Sequence, residues 1–282
     1  MILKYGDFVA ITACSNPLGE GAREKLPSLL NRLRCLGLMP EVGDCVFRAY
    51  SSGLERAEEL MKFYRDSRIG AIFDISGGDL SNEILEYLDY DVIKENPKYF
   101  WGYSDLTTVL NGIYARTGNT GCLYQIRNLI GTDEKRQTEA FRSTVLGDSR
   151  ELFRTSWKFV QGYSAEGVVV GGNIRCFLKL AGTPYFPNMK GKILFLESRS
   201  GKEPLMRAFF TQLRQMNVFT EISGLLLGTF TEYESSSPNR SIEELARNAA
   251  CRADLPIAKT QQIGHGSDSR AIAVGARISI HS

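Results

Sequence analysis

The chain of 282 residues holds two histidines, so a reaction that needs an imidazole near neutral pH has two candidates, His265 and His281. His281 is the penultimate residue, where chain ends usually fray. His265 stands in Ile263-Gly264-His265-Gly266-Ser267, between glycines that free the backbone to turn. Such a histidine is an ordinary surface loop residue unless a partner exists for it. Glu197 ends Ile193-Leu194-Phe195-Leu196-Glu197, an apolar run that reads as a buried strand finishing on a carboxylate. Burying an unpaired charge costs on the order of several kcal/mol, so Glu197 needs a donor unless it already lies in solvent beside Arg199 or Lys202.

Two further segments carry polar groups at turns. Tyr99-Phe100-Trp101-Gly102-Tyr103-Ser104-Asp105 runs from an aromatic strand through a glycine into the helical pattern of Val109, Leu110 and Ile113. A serine at such a strand-to-helix turn is presented outward, and the amides that open the helix are free to donate to an anion. Taken alone, Ser104 and Asp105 also read as a helix N-cap. Ile75-Ser76-Gly77-Gly78-Asp79 places a glycine pair directly after a second apolar run, where the backbone can approach a ligand and supply an oxyanion donor, or simply turn tightly. Neither segment has dinucleotide or P-loop spacing. A serine hydroxyl is a poor nucleophile without a base, and a base needs an orienting carboxylate. That requirement joins Ser104, His265 and Glu197 into one proposed triad.

These residues must be positioned by elements that are visible as patterns. Phe8–Ala13, Ala71–Ile75 and Tyr99–Trp101 read as strands, alternating with helical patterns over Gly21–Leu36, Leu54–Tyr64 and Asn82–Leu88. Such alternation predicts β-α-β units and a parallel sheet, an α/β class. After about residue 145, short β-rich runs (Gly167–Val170, Ile193–Leu196, Gly224–Leu227, Ile272–Ile280) lie between Gly- and Ser-rich turns, with helices at Pro204–Met216 and Ser241–Ala253. The expected organisation is an α/β domain over 1–147 carrying the nucleophile and a linker over 148–165. A smaller β-rich domain over 166–282 then carries the glutamate and the histidine.

Composition limits the partners. Thirty-four Lys plus Arg against 32 Asp plus Glu leave a formal charge of +2 without long runs of one sign, so neither nucleic acid nor an anionic membrane surface is expected. The opening MILKYGDFVAITAC looks like a short signal segment, but Asp7 splits its apolar run and a first strand is the better reading. No apolar stretch has the ~18–20 residues that cross a bilayer. The six scattered cysteines form no C-x-x-C pair and have no histidine at zinc spacing. Reduced thiols in a cytoplasmic protein, and no metal site, are therefore expected.

In order along the chain, Gly6-Asp7-Phe8-Val9-Ala10, Gly77-Gly78 with Asn82, Asn96-Pro97-Lys98, Gly102-Tyr103-Ser104-Asp105-Leu106-Thr107, Gly171-Gly172-Asn173, Gly182-Thr183, Gly191 to Glu197, and Gly264-His265-Gly266 resemble the LD-carboxypeptidase family of serine peptidases. The resemblance implies Ser104 as nucleophile, Glu197 as carboxylate, His265 as base, and the backbone amides of Gly78 and Asp105 as the oxyanion hole. It also implies a flavodoxin-like first domain, a site at the domain junction, a homodimer, and no metal or organic cofactor. Family members cut an amide bond between an L-configured centre and a terminal D-amino acid in murein-derived peptides. A microcin-immunity branch cleaves peptidyl or aminoacyl nucleotides. Two departures bear on specificity: Ser198 replaces the acidic residue that often follows the glutamate, and Leu123-Tyr124-Gln125-Ile126 replaces the usual Tyr-Gly-Pro. Gly77 is a further substrate-binding candidate. Arg199, Arg270 and Lys98 are candidates for a substrate carboxylate, and Trp157 and Tyr163 for stacking on a nucleotide base. A reading of another class, a non-catalytic protein that binds a small ligand in the same cleft, remains beside these.

Overall fold

Residues 3–236 and 239–282 are described by a computed structural model of the chain. Apolar runs punctuated by glycine and polar turns form twelve strands among these residues. They are β1 (Phe8–Thr12), β2 (Met39–Val42), β3 (Ile69–Asp74), β4 (Tyr99–Gly102), β5 (Gly121–Leu123), β6 (Lys158–Gln161), β7 (Ser164–Asn173), β8 (Lys192–Ser198), β9 (Gly224–Phe230), β10 (Ile257–Lys259), β11 (Ile272–Val274) and β12 (Arg277–His281). Helix Glu20–Cys35 turns Leu26, Leu29 and Leu33 inward at helical spacing. Helices Gly53–Arg65 and Ile242–Ala250 each open on a capping box, Ser52 with Glu55 and Ser241 with Glu244.

The strands make two six-stranded sheets. The first has the order β11-β5-β4-β3-β1-β2, parallel apart from β11. Its parallel part, β2-β1-β3-β4-β5, is the flavodoxin-like order that the resemblance implied. In such sheets ligands bind beyond the strand C-termini where the order reverses, here between β1 and β3. The second sheet, β12-β7-β8-β9-β10-β6, has a parallel centre with an antiparallel strand at each edge.

Two segments are used differently from their sequence pattern. Ile272–Ile280, expected as one β-rich run, is broken by Gly275 at φ +90°, so β11 joins the first sheet and β12 the second. The polar stretch expected as a linker over 148–165 supplies β6, which closes the second sheet on β10. Both segments tie the halves together. One apolar cluster runs continuously from Ile72, Phe100 and Leu123 of the first sheet to Val169, Phe195 and Leu226 of the second.

Strands β7 and β8 of the second sheet lie close because glycine leaves room between them. Gly171, at φ +105°, lies on β7 where an added Cβ would fall 2.2 Å from the Phe195 carbonyl oxygen. A Gly171→Ala substitution combines a strained backbone with overpacking. It should lower stability by about 2–5 kcal/mol, read as a drop in the denaturant midpoint at unchanged slope; an unchanged midpoint would show that β7 relaxes freely.

Candidate active site

Strand β4 delivers Ser104. A Cβ on Gly102 would lie 2.6 Å from the Leu106 Cβ, so only glycine lets the chain fold back over the following turn. Tyr103 stays extended, then Ser104 turns to φ +56°, the left-handed region that a residue with a side chain rarely enters. A short 3-10 turn, Ser104–Leu106, leads into helix Thr107–Thr117. The conformation costs roughly 1–2 kcal/mol, and its neighbours hold it. The Tyr124 amide donates to the Gly102 carbonyl at 2.9 Å and the Leu106 amide to the Tyr103 carbonyl at 3.1 Å.

Glu197 lies on β8, completely buried. Its carboxylate is satisfied from three elements. His265 Nδ1 lies 2.7 Å from Oε2, the Tyr103 hydroxyl donates to Oε2 at 3.1 Å, and Asn173 Nδ2 donates to Oε1 at 3.1 Å. Beside that carboxylate, burial first and then the glutamate's charge push the Tyr103 hydroxyl pKa well up, so Tyr103 acts here as a donor. The His265 ring also meets the Tyr103 ring edge-on, with centroids 4.8 Å apart. An ionised carboxylate only accepts, so it selects the tautomer with hydrogen on Nδ1. Nε2 is then left as an acceptor, 3.2 Å from Ser104 Oγ. A proton can pass from Ser104 to His265 while Glu197 stabilises the resulting imidazolium.

The glycine pair is shaped by buried polar groups. Asp74, at the end of β3, accepts from the amides of Cys14 (2.6 Å) and Ser76 (2.7 Å) and from the Ser76 hydroxyl (2.6 Å). Burial raises its pKa, against those hydrogen bonds. Gly78 sits at φ +129°, where a Cβ would meet Asn16 Cγ at 2.3 Å. Among the described residues its amide has no acceptor, and a Cβ on Gly77 would face open space. The Asp105 amide lies in the first turn after Ser104, where leading N–H groups have no partner within the helix. The Asp105 carboxylate is buried between Lys179 Nζ (2.6 Å), the Ser15 hydroxyl (2.7 Å) and the Ser81 amide (2.8 Å). Burial alone would raise its pKa; the bonds from Lys179, Ser15 and Ser81 outweigh burial and hold it below the usual carboxylate range.

With this geometry in place, comparison with known proteins is decisive at the level of family. The LD-carboxypeptidase N-terminal domain matches residues 9–125 and the LD-carboxypeptidase C-terminal domain matches 166–280. The chain belongs to the LD-carboxypeptidase family. It is an enzyme of the serine peptidase class. Among curated relatives, a probable murein peptide carboxypeptidase of Bacillus subtilis is 27% identical, covering 99% of this chain and 90% of the relative. The microcin C7 self-immunity protein MccF of Escherichia coli is 26% identical, covering 99% and 91%. The solved structure of MccF in complex with glutamyl sulfamoyl guanosine superimposes with a TM-score of 0.89 at 22% identity, over 99% of this chain and 94% of that one, a likeness of fold.

The remaining residues singled out from sequence are dispersed. Lys98 Nζ donates to the carbonyls of Asp66 (2.8 Å) and Ile69 (2.9 Å), and Arg270 is engaged by the Glu151 carbonyl (2.5 Å) and carboxylate (2.9 Å). Both are committed to holding loops. Trp157 packs edge-on against Phe195, centroids 6.4 Å apart, and lines a groove of about 700 Å³ with Trp101, Arg154 and Ile278 instead of the His265 cleft. Tyr163 is exposed just before the start of β7, and Asn173 closes that ten-residue strand, about 30 Å away at ~3.3 Å per residue. Arg199 is exposed just past Glu197, without a side-chain partner among the described residues.

Sequence reasoning passed over Arg127, half-buried in the 3-10 turn after β5. Burial lowers its pKa; Asp74 opposes that and Arg199 adds to it, so both lie within its electrostatic reach. Its position directly after the segment Leu123-Tyr124-Gln125-Ile126, which departs from Tyr-Gly-Pro, was the available signal. Among the described residues no cluster of three or more His, Cys, Asp or Glu side chains could hold a metal, and no helix is long and apolar enough to cross a membrane.

Two measurements follow from these local energetics. Ser104→Gly should raise stability by about 1 kcal/mol by relieving the left-handed strain, while Ser104→Ala, which keeps a Cβ, should not; equal unfolding midpoints would show that the turn is unstrained. Asp105 has a folded pKa below its unfolded one, so its contribution is complete above the unfolded value of about 4 and is lost as pH falls through the folded value. The stability gap between the parent protein and Asp105→Asn, followed by denaturant titration across pH, should be widest near neutrality and close in acid.

Proposed function

We propose that the chain hydrolyses the amide bond between an L-configured centre and a terminal D-amino acid in a murein-derived peptide. Ser104 is the nucleophile, His265 the general base and acid, and Glu197 the orienting carboxylate. The observation that carries this reading is the position of His265, whose two ring nitrogens reach Ser104 Oγ at 3.2 Å and Glu197 Oε2 at 2.7 Å. Ser104 Oγ attacks the carbonyl as its proton moves to Nε2. The amides of Gly78 and Asp105 receive the oxyanion, and the imidazolium protonates the departing amine. Water then cleaves the acyl-enzyme by the same route in reverse.

A carboxypeptidase must also hold the free carboxylate of its substrate. Arg199 and Arg127 supply the positive charge in this reading: they feel each other electrostatically, and neither guanidinium has an acceptor among the described residues. Gly77 leaves open space beside its own backbone. The murein reading is preferred over nucleotide-conjugate hydrolysis because neither Trp157 nor Tyr163 lies beside the triad to stack on a base. A cytoplasmic location suits the six free thiols, and the family resemblance supports a homodimer.

The test is product analysis by mass spectrometry with a murein tetrapeptide and an aminoacyl sulfamoyl nucleotide supplied separately. The parent protein should release the terminal D-amino acid from the tetrapeptide. Ser104→Ala and His265→Ala should each lose on the order of 10⁴-fold or more in kcat. Turnover of the nucleotide alone would replace the substrate assignment, and full activity in Ser104→Ala would remove the mechanism.

A further inference from the structure

Both proposed oxyanion donors belong to the first domain, yet two of the side chains that fix their segments come from the second. Asn173 caps a short helix, Ile174–Leu178, that leaves the end of β7. Arg175 stands on it and Lys179 is its C-cap, still in helical conformation, four residues on, the spacing that places two side chains on one helix face. Arg175 Nη2 donates to the Gly78 carbonyl at 3.0 Å, and its other terminal nitrogen pairs with the Asp79 carboxylate. Lys179 Nζ donates to the Asp79 carbonyl at 2.7 Å and to Asp105 Oδ1 at 2.6 Å.

The Gly78–Asp79 peptide is therefore gripped on both edges, its carbonyl by Arg175 and its N–H by Asn16 Oδ1 at 2.7 Å. At Gly78, with no Cβ and φ +129°, the backbone has the freedom to swing away; nothing in its own side chain opposes that. On the other side of Ser104, the Asp105 backbone is pinned through its carboxylate. Among the described residues, Lys179 is the one side chain of the second domain that bonds both segments.

We propose that Arg175 and Lys179 are positioning residues that assemble the oxyanion hole across the domain seam. They fix the Gly78 and Asp105 amides relative to Ser104 Oγ, so that the two donors converge only when the second domain is seated. The proposal rests on the Ser104 mechanism. It adds that the donors are set in trans between domains, by cations that never touch the substrate. An oxyanion hole acts on the transition state more than on the bound substrate, so the effect should appear in kcat and not in KM.

The test uses Arg175→Met, Lys179→Met, Lys179→Arg and the double variant Asp105→Asn/Lys179→Met. Arg175 and Asp79 are partly exposed, so Arg175→Met leaves no buried charge and folds. Lys179→Met strands a buried carboxylate and is expected to lose stability, which the double variant should restore. For both single methionine variants, kcat on a murein tetrapeptide should fall about 10–100-fold with KM within about 3-fold. The rate at which a fluorophosphonate labels Ser104 should fall in parallel. Lys179→Arg should recover part of the loss. The double variant should regain thermal stability without regaining kcat, which a purely structural role would not produce. Methionine variants that keep kcat and labelling rate within about 2-fold, or a double variant that recovers both, overturn the proposal while leaving the triad intact. If Ser104→Ala itself retained turnover, the mechanism beneath it would fail, and this inference with it.

Discussion

A fully buried carboxylate with no cation beside it sets the terms for the rest of the molecule. Glu197 has no lysine or arginine partner within ion-pair distance among the described residues. Its charge is sustained by neutral donors from Tyr103 and Asn173 and by the His265 ring. Left unmet, such a group would cost on the order of several kcal/mol. The three donors come from the turn after β4, the end of β7 and the loop after β10, so meeting the demands of one oxygen pair forces three separated stretches of chain together. The same convergence leaves His265 Nε2 facing Ser104. Stability and chemistry are thus served by one set of contacts.

That convergence is possible only because the two halves approach at backbone distance. Gly171 and Gly172 bring the end of β7 onto helix Thr107–Thr117, where Asn111 receives the Gly171 amide at 2.8 Å and donates to its carbonyl at 2.8 Å. Thr107 Oγ1 accepts the Asn173 amide at 2.9 Å, and an added Cβ on Gly172 would fall 2.5 Å from that oxygen. The helix that follows Ser104 is therefore docked on the strand that registers with β8, pairing Asn173 with Glu197. The Ser104–His265 contact thus crosses the same seam as the apolar cluster that the two sheets share.

The sequence was legible where physics is local. Apolar runs and helical periodicity located β1, β3, β4, β7, β8 and β9, and a scarce histidine between glycines, a carboxylate ending an apolar strand and a serine at a strand-to-helix turn drew attention to three residues that lie together. What stayed hidden depends on pairing at a distance. Ile272–Ile280 reads as one extended run because both β11 and β12 are extended; only Gly275 and the identity of their neighbours separate them. Lys98, Arg270 and Trp157 have the right chemistry for a binding site, but their partners, two carbonyls, Glu151 and Phe195, are far off in sequence. Arg175 and Lys179 look like any solvated pair on a helix until Gly78 and Asp105 are seen beneath them.

The strained turn at Ser104, the proposed nucleophile, is held in part from the second domain. A left-handed serine relaxes unless its flanks are over-determined. On one flank the restraints are local: the Gly102 carbonyl is held by Tyr124 and the Tyr103 carbonyl by Leu106. On the other, Asp105 is tethered to Ser15 and Ser81 within the first domain and to Lys179 of the second. The first-domain contacts keep the turn shaped; the ion pair makes the shape depend on domain seating. A first domain released from its partner would lose the edge strand β11 together with Glu197, His265 and Lys179, leaving an unactivated hydroxyl. In the proposed mechanism the Ser104 hydroxyl is thereby activated only where the two halves meet.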